Sequence, residues 1–502
     1  MAELSRPFPP GSYPVIVIGS GPGGLQVAYS LRSLGVPPAV LSADPSPGGM
    51  FRRWPFFQRL LSWTKPHAPV ERGTPAYERY DWNSLLGDEP ATCALAPTFM
   101  DGSSYFPSRP EMEANLAAFA ERAELTVRYD CPWTGTRLLD GPDGADRFEV
   151  ETVDGRYTCR VLVLAVGVAE PYTPPGPGME HTYHYADVRP PETYAGRRVF
   201  IIGKQNSGFE LANGLLPWAR QLVLASPSHA KLSVDTRSLV GVRARYVQPY
   251  EDHVLGGGVS ILDAAIDRVG RAADGALDVH LRRTDGGGDL VVTVDDVISA
   301  TGFVAPLADL PELGMTTFGA SRLPVVTPWW ESTSMPGVFV AGTLSQAAKG
   351  LGRHGLPANS GAVHGSRYNA RVLARHLATT RFGVATAPTR VAAADVPDRL
   401  VIELAEGADI FHQRGYLARL LTVDRAGGFL DEGIQPLVHI LDGGGPDGVA
   451  ATLEADGTGA IYPILFTRKG GSIAEHRIDP DPLARLDASD ARRVIVDAVA
   501  RL

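Results

Sequence analysis

The sequence predicts an α/β protein with two Rossmann-like dinucleotide-binding domains and a small C-terminal α+β module. Three observations predict it. A short apolar strand runs into a glycine-rich turn and a helix at YPVIVIGSGPGGLQVAYSLRSLG, residues 13–35. The same order returns at RVFIIGKQNSGFELANGLL, residues 198–216. After the linker VATAPTRVAAADVPD the composition shifts, and the remainder alternates short apolar segments with turns. Two dinucleotide turns on one chain imply electron transfer between two bound dinucleotides.

Bulk properties agree with such a plan. A chain of 502 residues can bury several cores. Hydrophobic content of 44% and charged content of 21% are ordinary for a globular protein. The net charge of −9 leaves no basic surplus for phosphate contacts, so neither a nucleic acid nor an anionic membrane is an expected partner. No apolar run reaches membrane-spanning length, and MAELSRPFPPGSYP lacks a secretory pattern, so a cytoplasmic location is expected. Cys93, Cys131 and Cys159 form no close pair, and no metal site is read. Arginines outnumber the five lysines, so Lys65, Lys204, Lys231 and Lys349 mark places where a compact ammonium is wanted.

The elements follow in order. After a Pro-rich tail, the first strand, turn and helix end at Gly35, and the next strand is Ala39 to Ser42. Residues 43–107 are irregular, aromatic and Pro-rich, a length that points to a functional loop. In SRPEMEANLAAFAERAEL, Ser108 and Glu111 form a capping box, and Met112, Leu116 and Phe119 share one face. Strands at 125–129, 147–153 and 157–165 read as a meander. A Pro-rich link then leads to the second turn, with strands at 221–225, 277–283 and 290–299. Residues 336–377 supply strand GVFVAG, a long loop and a helix. The C-terminal part reads as strands at 399–405, 434–441, 449–454 and 460–467 with a closing helix at 488–502. The domain plan is therefore 1–175 and 306–385 for the first domain, 176–305 for the second, and 386–502 for the module.

The first turn places Gly19, Gly21 and Gly24 at G-x-G-x-x-G, with Gly23 beside them. Gly19 permits the turn, Gly21 lets backbone approach a pyrophosphate, and Gly24 lets helix pack on strand. The acid usual at the end of the second strand is replaced by Ser42, with Asp44 two residues on, and one of them holds the ribose hydroxyls. The doublet Gly48-Gly49 allows backbone to lie against the rest of a long dinucleotide. Met50 and Trp54 follow it.

The second turn keeps Gly203 and Gly208 but carries Lys204 and Gln205 between them, with Asn206 and Ser207 opening the helix. The strand after it ends at Ser226-Pro-Ser228-His229-Ala-Lys231, without an acid. Such a set suits a 2′-phosphate, so NADPH is expected over NADH.

Together these residues resemble the two-dinucleotide-binding flavoproteins, and among them the flavin-containing and N-hydroxylating monooxygenases, over roughly residues 14–380. The resemblance implies that GSGPGG is an FAD turn, so an aromatic after the glycine doublet, such as Trp54, is expected beside the flavin ring. It also implies that AVGVAEPYTPPGPG, with Ala165 and Gly167, and SATGF, with Ala300, Thr301 and Gly302, are the two crossovers. GVFVAGT, with Gly342 and Thr343, is similar to the strand that reaches the ribityl chain. His184 falls at the histidine of the family's oxygenase signature, while Gly178, Glu180 and Val188 replace its other three positions. LLSWTKPHAP corresponds to the loop that in the family carries an Asn over the flavin, which places Lys65 near the ring. The segment from Ser345 carries Lys349, Arg353 and His354 and opens a helix at Asn359-Ser360, whose N-terminus is expected at the flavin pyrimidine.

The function so implied is an FAD-dependent, NADPH-oxidising oxidoreductase. It would be a monooxygenase that acts through a flavin hydroperoxide on an amine or sulfur of a small molecule, with molecular oxygen as co-substrate. The alternative is an NADPH-dependent flavin reductase or oxidase that passes electrons to an external disulfide or another acceptor. A homodimer is an open possibility.

Overall fold

In a computed structural model, residues 6–502 are described apart from 56, 143–144, 237–240, 254–257, 443–444, 481–485 and 487. The first sheet is built on strand Ser12–Ile18, whose inner residues Val15, Ile16 and Val17 are fully buried. It pairs in parallel with Ala39–Leu41 on one side and Gly155–Leu164 on the other. The C-terminal half of Gly155–Leu164 takes Val338–Val340 as a parallel neighbour, and its N-terminal half pairs antiparallel with Phe148–Thr152, which pairs with Trp133–Leu138. Parallel strands buried on both faces read as unbroken apolar runs, and VIVI and VLVL are such runs.

Helix Pro22–Ser33 lies between this sheet and the long return helix Val363–Phe382, which explains why nearly all of it is buried. Withdrawing side chains such as Leu25, Val27 and Leu31 from water contributes about 1.5–3 kcal/mol each. Helix Arg109–Arg122 starts with the expected capping box: the Glu111 amide donates to Ser108 Oγ, and Glu111 Oε2 accepts from the Ser108 amide at 2.6 Å.

The second sheet has seven strands in the order Asp289–Val294, Leu277–Arg283, Val259–Arg271, Gln221–Ser226, Arg198–Ile202, Asp296–Ser299 and Tyr183–His184. The module is a six-stranded antiparallel sheet, ordered Thr389–Val391, Phe429–Pro436, Leu417–Val423, Gly448–Ala455, Ile461–Lys469 and Ser472–Arg477. Helices Val396–Glu406 and Ala488–Val499 pack together on one of its faces.

Several elements differ from the sequence reading. Residues 125–129 form no strand; Arg128 alone bridges to Leu41, between Glu124 and Asp130 with their positive φ. Residues 399–405 are helical, because Val396, Leu400 and Leu404 recur every fourth position toward the core and Pro397 opens the helix. The expected strand at 434–441 ends at Pro436 and gives way to a helical turn. Strands Trp133–Leu138, Val259–Arg271, Leu417–Val423 and Ser472–Arg477 are additional to those the sequence predicts.

The irregular segment 43–107 stays irregular, with three 3₁₀ turns. Many of its buried polar groups are nonetheless paired, Gln58 Nε2 being an exception. Asp81 accepts from Thr64 Oγ1 at 2.9 Å and from the amides of Asn83 and Ser84 at 3.1 Å. The Gln26 side chain pairs with both backbone groups of Leu86, at 2.7 and 3.0 Å.

Candidate functional site

The first glycine turn opens on a cavity of about 650 Å³. A side chain on Gly19 would stand 2.5 Å from Ala165 O, and one on Gly23 would stand 2.4 Å from the backbone of Gly342, so the turn needs bare backbone where it meets the first crossover and the end of strand Val338–Val340. Gly21 instead faces open space, with no atom within 4 Å of a would-be Cβ. Gly24 lies behind the cavity wall, where a Cβ would press to 1.9 Å from Gly19 O. Its part is helix packing.

Of the residues expected to bind the first dinucleotide, the cavity brings together Gly19, Gly21, Gly23, Ser42, Asp44, Gly48, Gly49, Met50, Trp54, Ala165, Gly167, Gly342 and Thr343. Ser42 Oγ is engaged by Ser20 Oγ at 2.8 Å and by the Asp44 amide at 3.2 Å. The Asp44 carboxyl is pushed up by burial and pulled back by Arg53 and Arg52. Asn359 and Ser360 do not line the cavity; Gly361, Ala362, Val363 and Ser366 do. The return helix has no side-chain cap, so its first turn meets the cavity as bare backbone. The sequence signal for this shift was the run from Gly361 to Gly365, which lacks a capping residue. Leu60, Leu61 and Ser62, the start of the LLSWTKPHAP segment, also line the cavity, as does Ser20 of the turn, whereas Trp133 and Pro306 do so with no signal in the sequence.

The second turn repeats the first without sharing its cavity. Gly203 has φ +118°, and a Cβ there would meet Ala300 O at 2.4 Å; one on Gly208 would meet Gly203 O at 2.3 Å. Lys204 is 1% exposed and ion-paired with Asp263, which also takes His229 Nδ1 at 3.1 Å. Asp263 sits opposite Ser226 in the sheet register, so an acid reaches the end of this strand from its neighbour. Its carboxyl is held below the usual range, chiefly by the Lys204 hydrogen bond. Ser226 Oγ donates to Ser228 O at 3.2 Å, and Ser228, Gln205 and Lys231 are exposed. Asn206 accepts from the Arg243 amide at 3.1 Å and donates to Gly241 O at 3.0 Å, which joins the helix start to the next loop. Ser207, in the first helical turn, is half-buried.

The five residues expected at the chemistry lie elsewhere. His184 Nδ1 accepts from the Ala186 amide at 3.1 Å, so Nε2 carries the proton and donates to Gly302 O at 2.9 Å. Burial lowers its pKa, and its neutral ring clamps the second crossover to the strand before it. Thr301 Oγ1 donates to Tyr172 O, and Phe303–Val304 pairs with Glu170–Pro171, so the crossovers are stitched to each other. Lys65, Lys349 and His354 are exposed and outside the cavity lining, and Arg353 pairs with Glu475 of the module. Loop cations prefer water unless a buried partner draws them in, which is why their sequence position did not fix their direction.

Glu210 was not anticipated. It lies on the helix after the second turn and accepts from Tyr246 Oη at 2.7 Å and from the Arg59 amide of the first domain at 3.1 Å. Burial pushes its carboxyl up to about 7. Among the described residues, no helix is long and apolar enough to cross a membrane, and no group of three or more His, Cys, Asp or Glu is placed to hold a metal ion.

Residues 16–342 match the family model described as pyridine nucleotide-disulphide oxidoreductase. FAD-dependent oxidoreductase domain-containing protein 2 of Mus musculus is 27% identical over 434 residues, 81% of this chain. The chain spans 64% of that relative's length, just under two thirds. Among solved structures, the bacillithiol disulfide reductase Bdr (YpdA) of Staphylococcus aureus superposes with a TM-score of 0.57 at 15% identity, covering 74% of this chain and 99% of its own. A flavin-containing monooxygenase from Stenotrophomonas maltophilia gives a TM-score of 0.54 at 23% identity, with the same coverage. Both structural likenesses are likenesses of fold.

Proposed function

The chain belongs to the pyridine nucleotide-disulphide oxidoreductase family, and we propose that it is an FAD-dependent, NADPH-oxidising enzyme that monooxygenates an amine or sulfur of a small molecule. The observation that carries the cofactor part is the cavity. It is bounded by a glycine turn that tolerates no Cβ at Gly19 or Gly23, by the half-buried Asp44, and by the uncapped start of the return helix. That is the chemistry of an adenosine, a pyrophosphate and an anionic ring in sequence. FAD, when bound, supplies the two-electron carrier between NADPH and the final acceptor.

The chain's own residues bind, orient and exclude water. Gly19 to Gly23 admit the pyrophosphate against the helix N-terminus. With Ser42 engaged by Ser20, Asp44 is the group that accepts the ribose hydroxyls. The first amides of the return helix stabilise negative charge at the far end of the site. Trp54, Leu60, Leu61 and Pro306 form an apolar wall that keeps water from the ring. The second turn holds NADPH, with Ser226, Ser228, His229 and Lys231 around its adenosine end.

A second reading, reduction of an external acceptor, is favoured by one observation: His184 is engaged by backbone through both nitrogens. None of the three free cysteines lines the cavity, so an internal dithiol relay has no support. The test is coupling. FAD-loaded protein is reduced with NADPH, then given oxygen and a panel of small amines and thioethers. Monooxygenation predicts oxygenated product matching NADPH consumed for some member. Stoichiometric hydrogen peroxide with every member, or turnover of a low-molecular-weight disulfide without oxygen, rejects it.

A further inference from the structure

The C-terminal module contributes no residue to the cavity lining, yet it reaches the cavity wall from behind. Gln413 follows the short helix Ala408–His412 and is fully buried. Its Nε2, with two hydrogens to give, lies within hydrogen-bonding distance of Ser360 Oγ at 3.1 Å, Gly365 O at 3.2 Å and Asn369 Oδ1. Ser345, Ser360 and Asn369 are buried with it. The Ser345 hydroxyl shares its one hydrogen between Gly342 O at 2.7 Å and Ser360 O at 2.8 Å, Ser360 Oγ donates to Ala348 O at 2.7 Å, and Asn369 Nδ2 donates to Ser360 Oγ at 3.1 Å. One buried network thus ties together the two segments that meet in the cavity, Gly342-Thr343 and Gly361 to Ser366. Backbone bonds run alongside: the Asn359 amide donates to His412 O at 3.3 Å, and the Leu351 amide to Gly415 O at 2.9 Å.

We infer that Gln413 is a positioning residue: through it the C-terminal module sets where the return helix begins, and so tunes the affinity and reduction potential of the flavin. The inference rests on the FAD reading above. Its physical basis is the short range of a helix terminus, whose effect falls off within the first turn. Gly365 O belongs to that first turn, and Gln413 holds it from the side away from the cavity. An amide with this many buried partners admits one arrangement, because any displacement leaves polar groups unpaired. Other contacts of the module, such as Tyr416 Oη donating to Pro328 O at 2.7 Å, hold it to the first domain without touching this network.

Gln413→Met keeps the length of the side chain and removes the amide. Ser345→Ala cuts the same network at its other end and serves where the first variant does not fold. Tyr416→Phe removes a docking bond only. Apo full-length proteins are titrated with FAD, and the midpoint potential of the bound flavin is measured beside thermal stability. Gln413→Met is expected to bind FAD at least tenfold more weakly and to hold it at a more negative potential, Ser345→Ala to move the same way by less, and Tyr416→Phe to lose stability at an unchanged potential. Wild-type protein that takes up no FAD overturns the FAD reading and this inference with it. Wild-type that binds FAD, with Gln413→Met or Ser345→Ala unchanged in affinity and potential, overturns the inference alone. So does a Tyr416→Phe potential that shifts as far as theirs.

Discussion

Asp263 shows how a single residue can alter a coenzyme argument. In sequence, strand Gln221–Ser226 ends without an acid, and Ser226, Ser228, His229 and Lys231 there suit a 2′-phosphate. The fold brings Asp263 to the same place from the adjacent strand, where it neutralises buried Lys204 and draws His229. Its depressed pKa keeps it charged at neutral pH, so it opposes the phosphate that His229 and Lys231 would attract. Removing one charge a few ångströms from a dianion is worth on the order of a tenfold change in affinity. Asp263→Asn should therefore raise the affinity for NADP+ over NAD+ by about that factor, read by titration of the oxidised protein with each nucleotide. An unchanged ratio would remove Asp263 from the specificity argument. The glycines were legible because their demand is one of spacing and close approach, which a sequence displays. Asp263 was not, because its strand is defined by pairing with residues far away in the chain.

Elements were legible where local chemistry decides them. The helix at 109–122 announced itself by Ser108 and Glu111, and the structure forms that capping box. The segment 399–405 misled because a short apolar run fits strand and helix alike, and only its packing resolves the period. The helix after the second turn carries a further consequence through Glu210, which sits between the domains. Its carboxyl has a pKa raised from an ordinary 4.5 to about 7 by burial. A raised carboxyl pKa means that the folded state holds the proton more tightly than the unfolded chain does. The stability it contributes is complete below about 4.5 and is lost as pH rises through about 7. The full effect is on the order of 3 kcal/mol. Glu210→Gln keeps an acceptor for Tyr246 and Arg59 and removes the titration. Its melting temperature should fall less than that of the wild type between pH 5 and pH 8. Parallel melting curves for the two proteins across that range would sink the assignment.

At the scale of the whole molecule, the sequence displayed two turn-bearing units and a change of composition, because each unit carries its own periodicity. How the module is seated was hidden, since the residues that seat it are unremarkable one by one. Arg79 is the plainest case. It comes from the irregular segment of the first domain, and its guanidinium donates to Leu404 O and Gly407 O at 3.0 Å, at the C-terminal end of helix Val396–Glu406. A cation there completes carbonyls that the helix cannot satisfy and complements its dipole. The same guanidinium lies 4.9 Å from the centre of the Phe411 ring, two residues before Gln413. Arg79→Met retains the bulk of the side chain, takes the guanidinium from Leu404 O and leaves Gly407 O with the Phe411 amide at 3.3 Å, at a cost of about 1–3 kcal/mol. The module keeps a helix-backed core of its own, while Ala408, Tyr416 and Leu417 join the first domain's core, so the loss falls on the coupling across that seam. The module should then unfold in its own earlier calorimetric transition, and limited proteolysis should cut the linker near residue 385 before the rest of the chain. A single transition at the wild-type temperature would show that Arg79 does not couple the module to the first domain.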